Sequence, residues 1–158
     1  FAKDGTITAA NASSISDGAA ALVVTKKSVA EAQGLTVAAT IVSWATNSQE
    51  PSKFTSAPVP AIRKVMEKAG WSVADVDLFE INEAFAMVPM IAMKELGIPA
   101  EKLNVNGGGT ALGHPIGASG ARIIATLIAA LQNRGLKRGV AALCIGGGEG
   151  TAIAVEVA

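Results

Sequence analysis

Residues 102–131 read KLNVNGGGTALGHPIGASGARIIATLIAAL. The stretch runs from a short extended segment through a glycine loop around the chain's only histidine into an apolar stripe at helical spacing. KLNVN (102–106) is read as a strand. A helix from about Ser119 places Ile123, Ile124, Leu127, Ile128 and Leu131 on one face and stops at Gly135. The glycines admit two readings. They form a tight turn beside His114 and Pro115, or they let a ligand or a second backbone approach an imidazole placed to exchange a proton.

The same unit recurs on both sides. Upstream, VDLFEI (76–81) predicts a strand, Asn82 a helix N-cap, and 83–96 a helix closed by Gly97. Pro89 falls inside that helix and predicts a kink, because it removes a donor and crowds the carbonyl of Phe85. Before it, AATIVSWA (38–45) reads as a strand, and a loop holds Pro51, Pro58 and Pro60. Residues 61–69 then put Ala61, Ile62, Val65, Met66 and Ala69 on one face ahead of Gly70. Downstream, GVAALCI (139–145) and TAIAVEV (151–157) flank GGGEG and predict an antiparallel hairpin. Residues 1–36 differ in texture: a polar loop, an apolar run AAALVV (19–24), and a helix from about Lys26 to Gly34. Alternating strand and helix implies an α/β layered fold, with a mixed, mostly parallel, largely buried sheet covered by helices.

Composition narrows the function. The chain has 158 residues, half of them hydrophobic and 16% charged, enough apolar material for a core. Thirteen basic residues balance thirteen acidic ones, so no global field favours nucleic acid or an anionic membrane, and an anionic ligand must be held by local dipoles. The apolar run Ile123–Leu131 is roughly half a bilayer crossing. One cysteine and one histidine exclude an internal disulfide and the usual zinc motifs, and no metal is expected. The composition is read as that of a soluble, cytoplasmic protein. The sequence opens at Phe1 directly into AKDGTITAANASS, which reads as the interior of a longer chain.

Ligands of α/β sheets gather beyond the carboxyl ends of strands. Three polar groups lie there: Asn82, His114 and Cys144. Each has a plain alternative. Asn82 serves equally as an N-cap, Cys144 as a small buried hydrophobe, and His114 as a turn residue. Gly146–Gly148 form a hairpin turn or, beside a thiol, a row of free amides suited to an oxyanion. GHPIGASG is not a dinucleotide fingerprint, and no Walker lysine follows a glycine loop.

NEAFA (82–86), the 104–123 segment and CIGGGEG (144–150), in that order, resemble the thiolase family, specifically its biosynthetic acetyl-CoA acetyltransferases. NASSISDGAAALVV (11–24) is similar to the close of the family's N-terminal domain. The resemblance thus implies that residues 1–36 end that domain and 37–158 form the C-terminal domain, a thiolase-like layered fold. It implies Claisen condensation of two acetyl-CoA to acetoacetyl-CoA and CoA, or the reverse thiolysis, with coenzyme A thioesters as substrates and no permanently bound cofactor.

The family's nucleophilic cysteine belongs to the N-terminal half, so this piece alone is expected to be inactive. Cys144 matches the second cysteine, the acid/base that acts on the methyl carbon. By the same resemblance His114 activates the nucleophile and donates to the enolate oxygen, Asn82 holds a water that donates a second bond, and the Gly146 amide joins an oxyanion hole. Phe85 and Ser13 are implied to contact the pantetheine arm, with Phe1 and Phe54 as apolar wall. The family assembles as homodimers or homotetramers. Two other readings stay open: a degradative 3-ketoacyl-CoA thiolase, and a non-catalytic CoA-binding fragment. Ser14, Glu149 and Pro89 depart from the common pattern. Glu149 matters most, since a carboxylate beside Cys144 would raise the thiol unless it points to solvent.

Overall fold

The computed structural model describes residues 2–157; Phe1 lies outside them. Helix α1 (Lys27–Ala32) precedes strand β1 (Thr40–Ser48), helix α2 (Pro58–Ala69), strand β2 (Leu78–Ile81) and helix α3 (Met87–Leu96). Then follow the single turn α4 (Gly109–Leu112), the long helix α5 (Ile116–Arg134), and strands β3 (Arg138–Ile145) and β4 (Glu149–Glu156). The strands form one sheet in the order β1-β4-β3-β2.

The sheet is mixed, as expected, but not mostly parallel: β2 and β3 pair parallel, while β1–β4 and β3–β4 are antiparallel. The hairpin supplies one antiparallel pair. The other arises because β1 lies against the last strand rather than against β2. A bulge at Val42 shifts the β1 register between Ile41 and Ser43.

Strand alternation divides the core into two layers. Phe79, Ile81, Val140, Ala142, Cys144, Ala152 and Ala154 face α2 and α3, whereas Leu78, Ala141 and Val155 face α5. The α5 stripe buries Ile123, Leu127 and Leu131 at 1% exposure or less, each worth about 1.5–3 kcal/mol of transfer free energy. The sheet is not wholly covered. On β1 the α5-side residue Trp44 is 65% exposed, and the apolar run 19–24 lies in no helix or strand, with Val23 and Val24 exposed.

The helix ends follow the glycines: Gly70, Gly97 and Gly135 all take left-handed φ of 64–69° after α2, α3 and α5. The starts move. Helix α2 begins at Pro58, so Pro58 and Pro60 sit in the first turn, where a missing N–H costs nothing. Helix α3 begins at Met87, not residue 83, which makes Pro89 its third residue and removes the reason for a kink. Helix α5 begins at Ile116, three residues before Ser119. KLNVN is not a strand: Leu103 and Val105 make only isolated bridges, to Phe79 and Gly107.

Candidate active site

Asn82 continues the β2–β3 pairing, its N–H donating to Ala142 at 2.9 Å. Cys144 lies two residues further along β3, roughly 7 Å of extended chain. Asn82 does not cap a helix. Residues 82–86 stay irregular because a remote strap satisfies them: Ser13 N–H donates to Ala84 O, and Ala86 N–H to Asn11 O at 2.8 Å. The carboxamide of Asn82 is thereby freed. It is 1% exposed, its Nδ2 faces His114 Nε2 at 3.4 Å, and its Oδ1 is buried without a partner.

The same strap fixes His114, whose N–H donates to Ser14 O at 2.9 Å. Gly113 is required there. It takes φ 91°, and a Cβ would run into Ser16 Oγ. Part of the opening glycine pattern is thus explained by a second backbone segment crossing the loop.

Proton accounting sets the imidazole tautomer. Ser119, fully buried, donates its hydroxyl to Pro115 O at 3.1 Å and lies 2.6 Å from His114 Nδ1. Its single proton being spent on the carbonyl, Nδ1–H is the donor in the shorter contact. Nε2 is left with a lone pair, aimed at Asn82. Burial, then the charge of Arg122, lowers the imidazole below its ordinary 6.5. It is therefore neutral at pH 7 and able to accept a proton. Activity that needs the neutral ring is expected to fall with an acid-limb midpoint below 6.5, as the proton returns to the ring. A pH–rate profile whose acid limb has its midpoint above 6.5 contradicts this.

Arg122 pairs with Glu80 at 3.1 Å beneath the site. Burial pushes the Glu80 carboxyl up to about 7, against the opposing pull of the guanidinium. Burial also raises the Cys144 thiol, so it holds its proton at rest, and its thiolate is the stronger base for it. Glu149 is exposed, and its carboxylate lies near Gly147. Desolvation, not a neighbouring carboxylate, is what raises Cys144.

A Cβ on Gly146 would meet nothing within 4 Å, so that residue borders open space. Ser13 Oγ donates to Ala84 O at 2.9 Å, which commits its proton to holding the strap. Phe85 meets Phe54 edge to face with centroids 6.1 Å apart. The structure thus joins Asn82 to His114 directly, places Cys144 at the end of the adjacent strand, and sets Ser13 and Phe85 on the connecting strap and loop. Sequence reasoning missed Ser119, Glu83 and Asn104. The last had a partial signal, since asparagine is among the few non-glycine residues that readily take a left-handed φ.

The fold thus brings a carboxamide just past β2 into contact with an imidazole from the loop between α4 and α5, with a thiol near the end of β3, groups of the kind that exchange protons with a bound ligand. The pattern described as Thiolase, C-terminal domain matches residues 35–157, and that described as Thiolase, N-terminal domain matches 1–28. The chain belongs to the thiolase family.

It is 57% identical over 152 residues to the cytosolic acetyl-CoA acetyltransferase of Mus musculus, covering 96% of this chain and 38% of that protein. It is 54% identical over 156 residues to the acetyl-CoA acetyltransferase of Escherichia coli (strain K12), covering 99% and 40%. Among solved structures, the Bacillus anthracis acetyl-CoA acetyltransferase superposes with a TM-score of 0.97 at 49% identity. Human mitochondrial 3-ketoacyl-CoA thiolase in complex with CoA gives 0.93 at 42%. Each alignment covers all of this chain and 40% of the other. The chain spans about two fifths of the length of these relatives. Among the described residues no helix is long and apolar enough to cross a membrane.

Proposed function

We propose that this chain is the C-terminal portion of an acetyl-CoA acetyltransferase, which condenses two acetyl-CoA into acetoacetyl-CoA and CoA or runs the reverse thiolysis. The carrying observation is the Asn82–His114 contact with a basic Nε2, beside the strand whose penultimate residue is Cys144. In this reading a cysteine supplied by the N-terminal portion carries the acetyl group, and His114 Nε2 takes its proton. The CoA thiolate leaving the first acetyl-CoA takes the Cys144 proton, and the resulting Cys144 thiolate removes a methyl proton from the second acetyl-CoA. His114, now protonated, and a water held by Asn82 bind the developing enolate oxygen, and the Gly146 amide binds the tetrahedral oxyanion. Phe85, Phe54 and Ser13 border the pantetheine arm.

The exposed Trp44, Val23 and Val24 support a partner surface, either the N-terminal portion or a second subunit of a homodimer or homotetramer. A cytoplasmic setting is supported by the cytosolic relatives in Mus musculus and Rattus norvegicus.

A degradative thiolase is the second reading, favoured by the likeness to the human 3-ketoacyl-CoA enzyme. Comparing kcat/KM for acetoacetyl-CoA and a long-chain 3-ketoacyl-CoA in the complete protein decides between them. Preference for acetoacetyl-CoA is expected, and preference for the long chain would overturn the biosynthetic assignment.

A further inference from the structure

Among the described residues no strand pairs with β2 on its outer edge beside Asn82; one side chain takes that place. Asn104, the only non-glycine residue with positive φ (47°) among the described residues, accepts from Ile81 N–H through Oδ1 at 2.7 Å and donates from Nδ2 to Ile81 O at 2.8 Å. Its carboxamide thus satisfies both main-chain groups of the residue preceding Asn82. Nδ2 also donates to Glu83 Oε1 at 3.2 Å. Glu83, the residue following Asn82, uses Oε2 to accept the Thr110 N–H at 3.0 Å, in the single turn that leads to His114. Asn82 is therefore gripped on both sides by groups belonging to or contacting the His114 loop, while its own Oδ1 holds nothing.

We propose that Asn104 and Glu83 are positioning residues, a side-chain staple that sets the spacing between the Asn82 carboxamide and the His114 imidazole. The kinetic part of the test rests on the acyl-transfer reading; the structural part does not.

The chemistry of the staple gives its test. A carboxylate accepts at both oxygens, whereas a carboxamide accepts at one, so Glu83→Gln sacrifices either the Thr110 or the Asn104 bond. Asn104→Asp removes the donor to Ile81 O and sets two carboxylates face to face. Combining the two substitutions restores a complementary pair. The new carboxamide at position 83 donates to the new carboxylate at position 104, and its oxygen still accepts from the Thr110 N–H.

In the complete protein, Asn104→Asp is expected to lower kcat for condensation by about 100-fold, the scale of an ångström-sized misplacement, with KM changed little. Glu83→Gln should cost roughly 10-fold, and the double variant should recover at least about 10-fold over Asn104→Asp. Rates are taken per folded molecule, counted by near-UV circular dichroism, so a defect in folding alone leaves kcat unchanged in every variant. Unchanged kcat in both single variants, or a double variant no better than the worse single, overturns the staple.

Crystal structures of the same variants give the arm that needs no activity. Widening of the 3.4 Å contact in Asn104→Asp, or in Glu83→Gln should the first fail to fold, supports the staple; an unchanged contact overturns it. If the contact widens but the unmodified complete protein performs no condensation, the acyl-transfer reading falls and the staple stands.

Discussion

Replacing Cys144 with alanine in the complete protein should lower the condensation rate by about 10²–10⁴-fold, the usual worth of a positioned general acid/base. Acylation by the first acetyl-CoA should survive, because on the proposed reading it uses the other cysteine and His114. A burst of free CoA without acetoacetyl-CoA is the expected signature. The fold predicts that this variant remains stable: the lost sulfur sits in the core layer facing α2 and α3, and a Cys→Ala truncation removes one heavy atom. Normal turnover would show that the thiol is only one more buried hydrophobe, the plain reading open at the sequence level.

Gly148→Ala should be strongly destabilising. Gly148 holds φ at 91°, and a Cβ there would collide with Gln49 O and stand 3.0 Å from Pro51 Cα. Left-handed strain costs about 1–3 kcal/mol and overpacking against backbone another ~1–3 kcal/mol. At about 2–4 °C per kcal/mol for a chain of this size, melting should fall by roughly 4–24 °C. The adjacent Gly147→Ala is the control. Its Cβ would meet only the Glu149 carboxylate, at 3.7 Å, and stability should stay within about 0.5 kcal/mol. Equal melting temperatures for the two variants would mean that the 49–51 loop does not close over the hairpin as described.

These two adjacent glycines show what a sequence conceals. GGG between two apolar runs announces the hairpin, yet which glycine is indispensable depends on Gln49 and Pro51, far upstream in the chain. The same distance effect explains where the sequence reading departs from the fold. Gly70, Gly97 and Gly135 were legible because a left-handed cap is a local event. The capping role for Asn82 and the early start of α3 fail because Asn11 and Ser13 claim the backbone of residues 82–86 from outside.

KLNVN carries a strand's alternation, but the Asn104 side chain occupies the hydrogen-bonding edge that a strand would have used. Alternation of strand and helix implies mostly parallel order, but it does not reveal that β1 pairs with β4. At the site, His114, Asn82 and Cys144 were visible as reactive groups following predicted strands. Ser119, whose hydroxyl fixes the imidazole tautomer, reads in the sequence only as the start of a helix. Its contact depends on α5 starting three residues earlier than the apolar stripe suggests.

Carbanion chemistry at Cys144 is the central claim, and hydrogen exchange reports on it most directly. With the complete protein in D2O, the methyl hydrogens of acetyl-CoA should be replaced by deuterium at a rate that drops at least about 100-fold in Cys144→Ala. Exchange that proceeds undiminished without the thiol would place the base elsewhere and contradict the assignment.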